Sequence, residues 1–290
     1  MNIQYGFPAQ DSPMEISIPI AHEVYLKIAD RLNEQGDYAT SCLPKGFLLV
    51  SNGQELDEEA VGFGFPVVKR GLQTLFPGGI ELAVSQHGSI RLVQAVFALN
   101  LVEKIHRLGI GSVNIGLVYA LKNSVAALIR RIPPLRGLLT VVSSGLQKTF
   151  GWKTTYEATG LKATIKMIHT IHEETGKVKV EVDLTDLPAS ITEVVVMNEQ
   201  GARFFDRYID SSGISLQGKK IGCWDEVTAD EACFSSASHQ VVFKLGRVKG
   251  ARLYRGRELV GSRLAWAGFG YSFPPSTKNF IYELAIERLA

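Results

Sequence analysis

The sequence ATIKMIHTIHEETGKVKVEVDL, residues 163–184, carries the clearest structural pattern in the chain. Val178, Val180 and Val182 alternate with charged residues, and Leu184 continues the row. This period of two is typical of a strand with one buried and one solvated face. Together with the strand-like ATIKMIHTIH before it, the pattern predicts an antiparallel hairpin.

Further strands are predicted on both sides of this hairpin. FLLVSNGQEL contains the Asn52-Gly53 pair that favours a tight turn, and the glycines of VGFGF and AGFGY indicate bulges or close packing of strands. IELAVSQ and IRLVQAVFALNLVEKI follow as two strands, although the second is long enough to be a helix instead. The remaining predicted strands are ITEVVVM, ARFFDRYID, GISLQ, KKIGCW, HQVVFKL, ARLYRGREL, SRLAWAGFGYSF and FIYELAIERL. The chain is therefore expected to be mainly β, a large antiparallel β-sandwich or barrel-like sheets.

One N-terminal helix is expected beside the strands. In residues 21–35, Val24, Ile28 and Leu32 recur every four positions, which indicates an amphipathic helix. We expect residues 1–45 to form a helical segment packed on a β-sandwich body, with one domain overall as the alternative.

The body, residues 46–290, is expected to carry a helical insertion at 113–150. Between Glu103 and Glu157 the sequence has eight basic residues and no acidic one. At helical spacing its apolar residues fall on one face, opposite a basic face, and Pro133-Pro134 must divide it into two helices. The insertion is therefore predicted to be an amphipathic helical pair.

The helical pair is expected to have a partner, because its apolar face is costly to leave in water. Leu121, Val125 and Leu128 are the expected apolar contacts, with Arg130 and Arg131 beside them. The alternatives are the protein's own sheets, a second subunit in a homo-oligomer, a lipid or other apolar ligand, and an anionic membrane surface. Nucleic acid is disfavoured, because the segment has few aromatic residues and no recognition motif.

The composition restricts the possible partners, cellular location and cofactors of the protein. The formal net charge is only +2, so no overall field attracts the chain to nucleic acid or membranes. The N-terminus lacks the pattern of a secretory signal, and the three cysteines have no CxxC spacing. We expect a cytoplasmic protein with reduced thiols, with peripheral membrane contact as the exception, and no metal or cofactor motif is recognised.

One candidate polar site combines carboxyl groups, arginines and aromatic rings. Alternation in ARFFDRYID places Asp206 and Tyr208 on one face, and Glu199 lies in the turn-like NEQG. The catalytic candidates are Asp206, Glu199 and Glu258, and the ligand-binding candidates are Tyr208, Arg255, Arg257 and Trp224. Paired carboxyl groups can divide acid and base roles on a sugar or another small metabolite. Charged pairs on a solvated sheet produce the same pattern, so the alternative stays open.

Two other features have structural interpretations. The acidic run at 54–60 lacks the spacing of a calcium loop and is expected to be a solvated hairpin exit. His169 lies among apolar residues and is expected to be a core histidine.

The succession of long strands and small-residue turns resembles, in architecture alone, the large sandwiches of mutarotase-like sugar enzymes and the lipocalin-like hydratases of isoprenoids. Three functions remain. The first is a binding protein whose helical pair contacts an apolar ligand, a membrane surface or a partner subunit, and the second is a carbohydrate-directed or other small-metabolite enzyme. The third is a structural or assembly protein whose helical pair is buried in an oligomer interface. The sequence alone does not decide between them.

Overall fold

A computed structural model describes residues 15–30, 43–71, 73–107, 111–113, 152–161, 163–260 and 264–289. These residues contain twenty strands, one 3-10 turn at Gly218–Ile221 and no α-helix. The strands are β1 (Glu15–Ala21), β2 (Val24–Ala29), β3 (Leu48–Ser51), β4 (Gln54–Glu55), β5 (Gly62–Arg70), β6 (Gln73–His87), β7 (Ile90–Arg107), β8 (Gly111–Val113), β9 (Trp152–Ala158), β10 (Thr164–His172), β11 (Lys177–Asp183), β12 (Glu193–Gly201), β13 (Arg207–Asp210), β14 (Ser215–Gln217), β15 (Asp225–Glu226), β16 (Glu231–Ser236), β17 (Val241–Gly246), β18 (Arg252–Val260), β19 (Leu264–Phe273) and β20 (Asn279–Arg288). The prediction of a mainly β, antiparallel chain is confirmed.

Sixteen of these strands form one sheet, in which β14-β13-β16-β17-β20-β11-β10-β7-β6-β5-β12-β19-β18-β15 are neighbours and β8 and β9 both pair with β7. Strands far apart in this order still touch through their side chains. The rings of Phe234 on β16 and Phe269 on β19 are 4.9 Å apart, and those of Phe63 on β5 and Phe243 on β17 are 5.1 Å apart. The sheet therefore folds over on itself as a β-sandwich around an aromatic core.

A second, four-stranded sheet contains β1-β2-β3-β4, and its strands β1 and β2 occupy the described part of the predicted N-terminal helical segment; residues 1–14 and 31–42 of that segment lie outside the described residues. Val24, Leu26 and Ile28 are buried and alternate with more exposed residues along β2. The helix prediction is wrong here because a spacing of four residues fits both a helical turn and every second position of a strand. The β-branched residues of β1 provide the pairing partner that favours the strand.

The predicted hairpins are confirmed. β10 and β11 pair in register from Lys166↔Asp183 to His172↔Lys177, and the predicted valine row of β11 is buried. Asn52 and Gly53 have φ angles of 51° and 75°, as a tight turn between β3 and β4 requires. The long predicted strand IRLVQAVFALNLVEKI forms strand β7, which excludes the helical alternative.

Two C-terminal strand predictions are wrong in part. KKIGCW contains the 3-10 turn instead of a strand, and ARFFDRYID begins with a turn, so that only Arg207–Asp210 is extended. The predicted helical pair at 113–150, apart from residue 113 at the end of β8, lies outside the described residues. In the described part of the chain, no helix is long and apolar enough to cross a bilayer.

Candidate functional site

The tripeptide Asn-Glu-Gln at 198–200 is fully buried near the end of β12. The asparagine Oδ1 accepts hydrogen bonds from the Gly64 N–H (3.0 Å) and the Tyr282 hydroxyl (2.9 Å). The glutamine side chain accepts from the Leu49 N–H and donates to the Phe47 carbonyl, both at 3.1 Å. The two amides therefore connect β3 and β5 to β12, and their role is structural.

The glutamate between these amides faces the other side of the strand. Glu199 is 4% exposed, and its Oε1 accepts a hydrogen bond from the Val61 N–H at 3.1 Å. Within the described residues, the buried Oε2 has no hydrogen-bond partner. Burial raises the pKa of Glu199 to about 7; the Val61 N–H and Lys45 oppose this shift, while Glu258 adds to it.

The loop that leads into β5 covers this end of β12. The Gly201 N–H donates to the Leu56 carbonyl at 2.6 Å, which fixes the loop on the strand. Lys45 forms an ion pair with Asp57 and donates to the Glu58 carbonyl at 3.2 Å. Asp57 is only 7% exposed, so the predicted solvated hairpin exit is wrong at this point.

The next two residues of the loop add two more carboxyl groups. Glu58 Oε1 lies 3.3 Å from Arg203 Nε, and Glu58 Oε2 accepts a hydrogen bond from the Arg203 N–H at 3.3 Å. Glu59 is 6% exposed. Burial and then Glu58 raise the pKa of Glu59 to about 7, against the opposing charges of Arg203 and Lys45.

These residues form one electrostatic unit, which we call the acidic cluster: Lys45, Asp57, Glu58, Glu59, Glu199, Arg203 and Glu258. Two of its carboxyl groups have pKa values near neutrality, and Lys45 acts on both. A carboxyl group with such a pKa can both give and take a proton at neutral pH, which suits general acid–base chemistry. No group of three or more metal-ligating side chains occurs in the portion of the chain that is described.

The cluster borders a sheet surface with few side chains, which we call the glycine face. It is the side of β12, β19 and β18 that carries Glu199, Gly256, Glu258, Trp266, Gly268 and Gly270. Directly paired residues share a face of a sheet, and Glu199 pairs with Gly268, which pairs with Gly256. A Cβ at Gly268 would lie 2.8 Å from the Glu199 Cβ, so glycine is needed for the close approach of these strands.

The structure separates the predicted site residues into two groups. Glu199 and Glu258 lie on the glycine face, and Trp224 packs against that face over Gly270. Arg255 and Arg257 alternate with the glycine-face residues of β18 and therefore point to the other side. Glu199 and Glu258 are therefore not on the same sheet face as the two arginines.

The two arginines on the other side are half-buried. The Arg255 guanidinium lies 4.6 Å from the ring centroid of the fully buried Tyr208, and its Nε donates to the Ile221 carbonyl at 3.3 Å. Arg257 donates to the backbone carbonyls of Ala202 (2.7 Å) and Phe205 (3.3 Å). Both arginines thus donate hydrogen bonds to backbone carbonyls, in the turn before β13 and in the 3-10 turn after β14.

Asp206 is not one of the acidic cluster's carboxyl groups. It lies in the turn before β13, where its Oδ2 accepts a hydrogen bond from the Gln217 Nε2 at 3.2 Å. Its charge acts on Arg257, whose pKa is lowered by burial against the effects of Asp206 and Glu58. The predicted contacts Leu121, Val125, Leu128, Arg130 and Arg131 lie outside the described residues.

Sequence reasoning missed Lys45, Asp57 and Glu59. Lys45 and the loop acids are more than a hundred residues from Glu199 and Glu258 in sequence, and no local periodicity relates them. One sequence feature could have indicated this loop: LDEEA directly precedes a glycine-rich strand. Glycines let another segment approach the backbone closely, so a loop next to them can cover the strand.

A cleft of about 390 Å³ lies at the other end of the glycine face, with Glu193, Arg252 and Ser272 in its lining. The Glu193 carboxylate is 2.6 Å from Lys69 Nζ and accepts a hydrogen bond from Ser272. Although burial opposes it, these two partners lower the pKa of Glu193. Both oxygens of this glutamate are therefore engaged, unlike those of Glu199 on the same strand.

No protein-family model and no curated protein matches the chain. Among solved structures it is similar to the alpha-N-acetylgalactosaminidase NagBb from Bifidobacterium bifidum in complex with GalNAc, with a TM-score of 0.49, 11% identity, and coverage of 96% of this chain and 36% of that chain. It is also similar to the Slr1438 protein from Synechocystis sp. PCC 6803, with a TM-score of 0.40, 8% identity, and coverage of 99% of this chain and 100% of that chain. The chain thus spans little more than a third of the glycosidase, and likenesses at these TM-scores carry no argument about function.

Proposed function

We propose that the acidic cluster binds a carbohydrate-class polar metabolite and that Glu199 exchanges a proton with it. The observation that carries this proposal is the buried Oε2 of Glu199, which lacks a hydrogen-bond partner among the described residues while burial raises the pKa to about 7. A buried carboxyl oxygen without a partner is costly to a fold and needs an explanation. A ligand hydroxyl would satisfy it.

Glu258 is the second carboxyl group of the proposed site. It is half-buried on the glycine face, and it lies close enough to raise the pKa of Glu199. Two carboxyl groups in different environments can take complementary acid and base roles on one substrate, as ring opening of an aldose requires. Asp206 is not part of this proposal, because it is not among the groups that shift the pKa of Glu199 or Glu59.

The proposal is tested with a panel of free aldoses, in which NMR exchange between the two anomers reports turnover and line broadening reports binding. Glu199→Gln keeps the shape of the side chain and removes the titrating group, so we expect turnover to fall at least a hundredfold. Glu193→Gln is the matched control, since it changes a half-buried glutamate of the same strand whose oxygens are both engaged. Equal turnover in wild type and Glu199→Gln would refute the role of Glu199.

A second proposal concerns the basic segment, and it rests on the charge pattern of the sequence. Eight basic and no acidic residues between Glu103 and Glu157 suit contact with an anionic lipid surface, an apolar ligand or a second copy of the chain. Flotation with phosphatidylserine vesicles, with phosphatidylcholine vesicles as the control, tests the first. Loss of flotation in the double variant Arg130→Glu, Arg131→Glu is expected, and the proposal fails if wild type does not float, its lipid extract is empty and light scattering shows a monomer.

A further inference from the structure

The glycine face carries two indole rings close to the acidic cluster. The rings of Trp224 and Trp266 have centroids 5.1 Å apart and planes 31° apart. A Cβ at Gly270 would lie 2.6 Å from Cζ3 of Trp224, and one at Gly256 would lie 2.6 Å from Cη2 of Trp266. Each indole therefore occupies the space that a side chain of the sheet would fill, and the glycines allow it to lie against the backbone.

Trp224 is held in an unusual backbone conformation. Its φ angle is 58°, in the left-handed region that a bulky side chain rarely adopts. Such strain persists only where the surrounding structure imposes it, and it is concentrated at ligand sites. Trp224 is also half-buried, whereas Trp266 is only 8% exposed. Of the two indoles, Trp224 offers more surface to solvent.

The indoles and the carboxyl groups are neighbours on one surface. Glu258 is directly opposite Trp266, and Glu199 is directly opposite Gly268, two residues along β19 from the glycine that Trp224 covers. Two residues of a strand span about 7 Å, which is the scale of one sugar ring. The buried Oε2 of Glu199, without a partner in the described residues, lies at one end of this step and Trp224 at the other.

From this arrangement we infer that Trp224 is a stacking platform for the ring of a pyranose, whose hydroxyl groups reach Glu199 and Glu258. One face of a pyranose is lined by C–H groups, and an indole offers a large, rigid and electron-rich face to them. Carboxylates accept hydrogen bonds from hydroxyl groups strongly. This inference rests on the proposed carbohydrate function and deepens it, since it requires a closed ring and not merely a polyhydroxylated ligand.

The inference is tested by titrating wild type with methyl β-glucopyranoside, methyl β-galactopyranoside and the acyclic polyol sorbitol, followed by tryptophan fluorescence and calorimetry. We expect at least one pyranoside to bind and to change the fluorescence, and sorbitol to bind at least tenfold more weakly. Trp224→Leu should weaken pyranoside binding at least tenfold. Trp224→Phe keeps an aromatic face, so its affinity for the pyranoside should stay within about threefold of wild type. If the indole had only a structural role, phenylalanine would not be expected to preserve binding in this way.

The control variant is Tyr25→Leu, which removes a 38% exposed aromatic ring from the separate four-stranded sheet and should leave binding unchanged. If Trp224→Leu binds as tightly as wild type, or sorbitol binds as tightly as the pyranosides, the stacking inference is overturned while the role of Glu199 stands. If no pyranoside, aldose or polyol binds to wild type, the carbohydrate function is overturned and the stacking inference falls with it. Circular dichroism of each variant confirms that a loss of binding occurs in folded protein.

Discussion

Strands β12, β18 and β19 have two faces with opposite chemistry. On the core face, Phe269 and Tyr271 join a continuous group of aromatic rings, with Phe234 4.9 Å from Phe269. On the glycine face, the residues between them and beside them are glycines, with carboxyl groups and indoles above. Residues 265–273 are all buried, so burial alone does not distinguish the two faces. The two faces differ in which side chains cover them. Aromatic rings of the strands themselves fill the core face, whereas carboxyl groups and indoles lie over glycine backbone on the other face.

The same contrast occurs within the tripeptide at 198–200. The side-chain carbonyl oxygens of the asparagine and glutamine accept hydrogen bonds from the backbone of β5 and β3, whereas the asparagine Nδ2 has no partner among the described residues. Glu199 between them retains an oxygen without a partner among the described residues. Neighbouring residues in one strand thus serve stability and, by our proposal, chemistry.

The largest effect is expected on the core face. Phe269→Ala removes a fully buried ring that contacts the rings of Phe234, Tyr208 and Phe243. We expect a loss of about 3–5 kcal/mol in the free energy of unfolding, measured by urea denaturation. Trp224→Leu on the other face should cost clearly less, because its indole is half-buried. Equal losses for the two variants would show that both faces serve packing.

The next effect is a loss of stability between about pH 4.5 and pH 7 through Glu199. Its pKa is raised from 4.5 to about 7, so the folded state binds the proton more tightly than the unfolded state does. The stability is therefore fully present below pH 4.5 and falls as the pH rises to about 7, by about 3 kcal/mol in total. Denaturation of wild type and Glu199→Gln at several pH values measures this difference.

Glu193→Gln provides the comparison for that experiment. The pKa of Glu193 is lowered, so its contribution is present above the unfolded pKa and is lost as the pH falls below it. The difference between wild type and Glu193→Gln should therefore be constant between pH 5 and pH 8, where that of Glu199→Gln changes. Parallel curves for both variants would contradict the assigned pKa of Glu199.

His169, on the core side, is expected to give the opposite pH dependence of stability, with a loss as the pH falls. The ring is 2% exposed and packs edge-on against Phe47, with centroids 4.9 Å apart. Burial lowers its pKa from 6.5 to about 4, against a smaller effect of the Val93 backbone. Stability is thus fully present above pH 6.5 and falls by about 3 kcal/mol as the pH drops through 4. His169→Phe should remove this loss of stability below pH 6.5 and leave the opposite change due to Glu199 in place. An unchanged loss below pH 6.5 in the variant would exclude the assignment.

Local patterns predicted those parts of the fold that depend on local pairing. The valine row of β11 and the Asn52-Gly53 turn follow from alternation and from left-handed turn geometry, and both occur. The prediction that glycines of VGFGF and AGFGY mark bulges or close packing is also confirmed. The pairing of β5 with β12 shifts register opposite Gly64, and Gly268 and Gly270 lie under Glu199 and Trp224.

The candidate site could not be predicted in the same way, because its burial is tertiary. NEQG resembles a turn, yet β12 continues to Gly201 since the loop from Leu56 covers it. LDEEA resembles a solvated segment, yet Asp57 and Glu59 are buried against Lys45 and Arg203. A glutamate that is ordinary by sequence acquires a raised pKa only from residues far away in the chain.

The smallest expected effect compares Gly270, which lies under Trp224, with Gly79, which has no neighbouring atom within 4 Å of an added Cβ. At Gly270 an added Cβ would meet Cζ3 of Trp224 at 2.6 Å, whereas at Gly79 no atom lies within 4 Å, and neither residue has a positive φ angle. Gly270→Ala should displace the indole and cost about 1–3 kcal/mol, the range for overpacking. Gly79→Ala should be neutral or stabilise the protein by about 0.5 kcal/mol, because alanine restricts the unfolded chain more than glycine does. Thermal denaturation measures both, and the fluorescence of Gly270→Ala adds an independent readout, since a displaced Trp224 emits at longer wavelength. If Gly270→Ala changes neither its stability nor its emission, the indole is free to move away from the sheet, and the glycine is not what positions Trp224 beside the carboxyl groups.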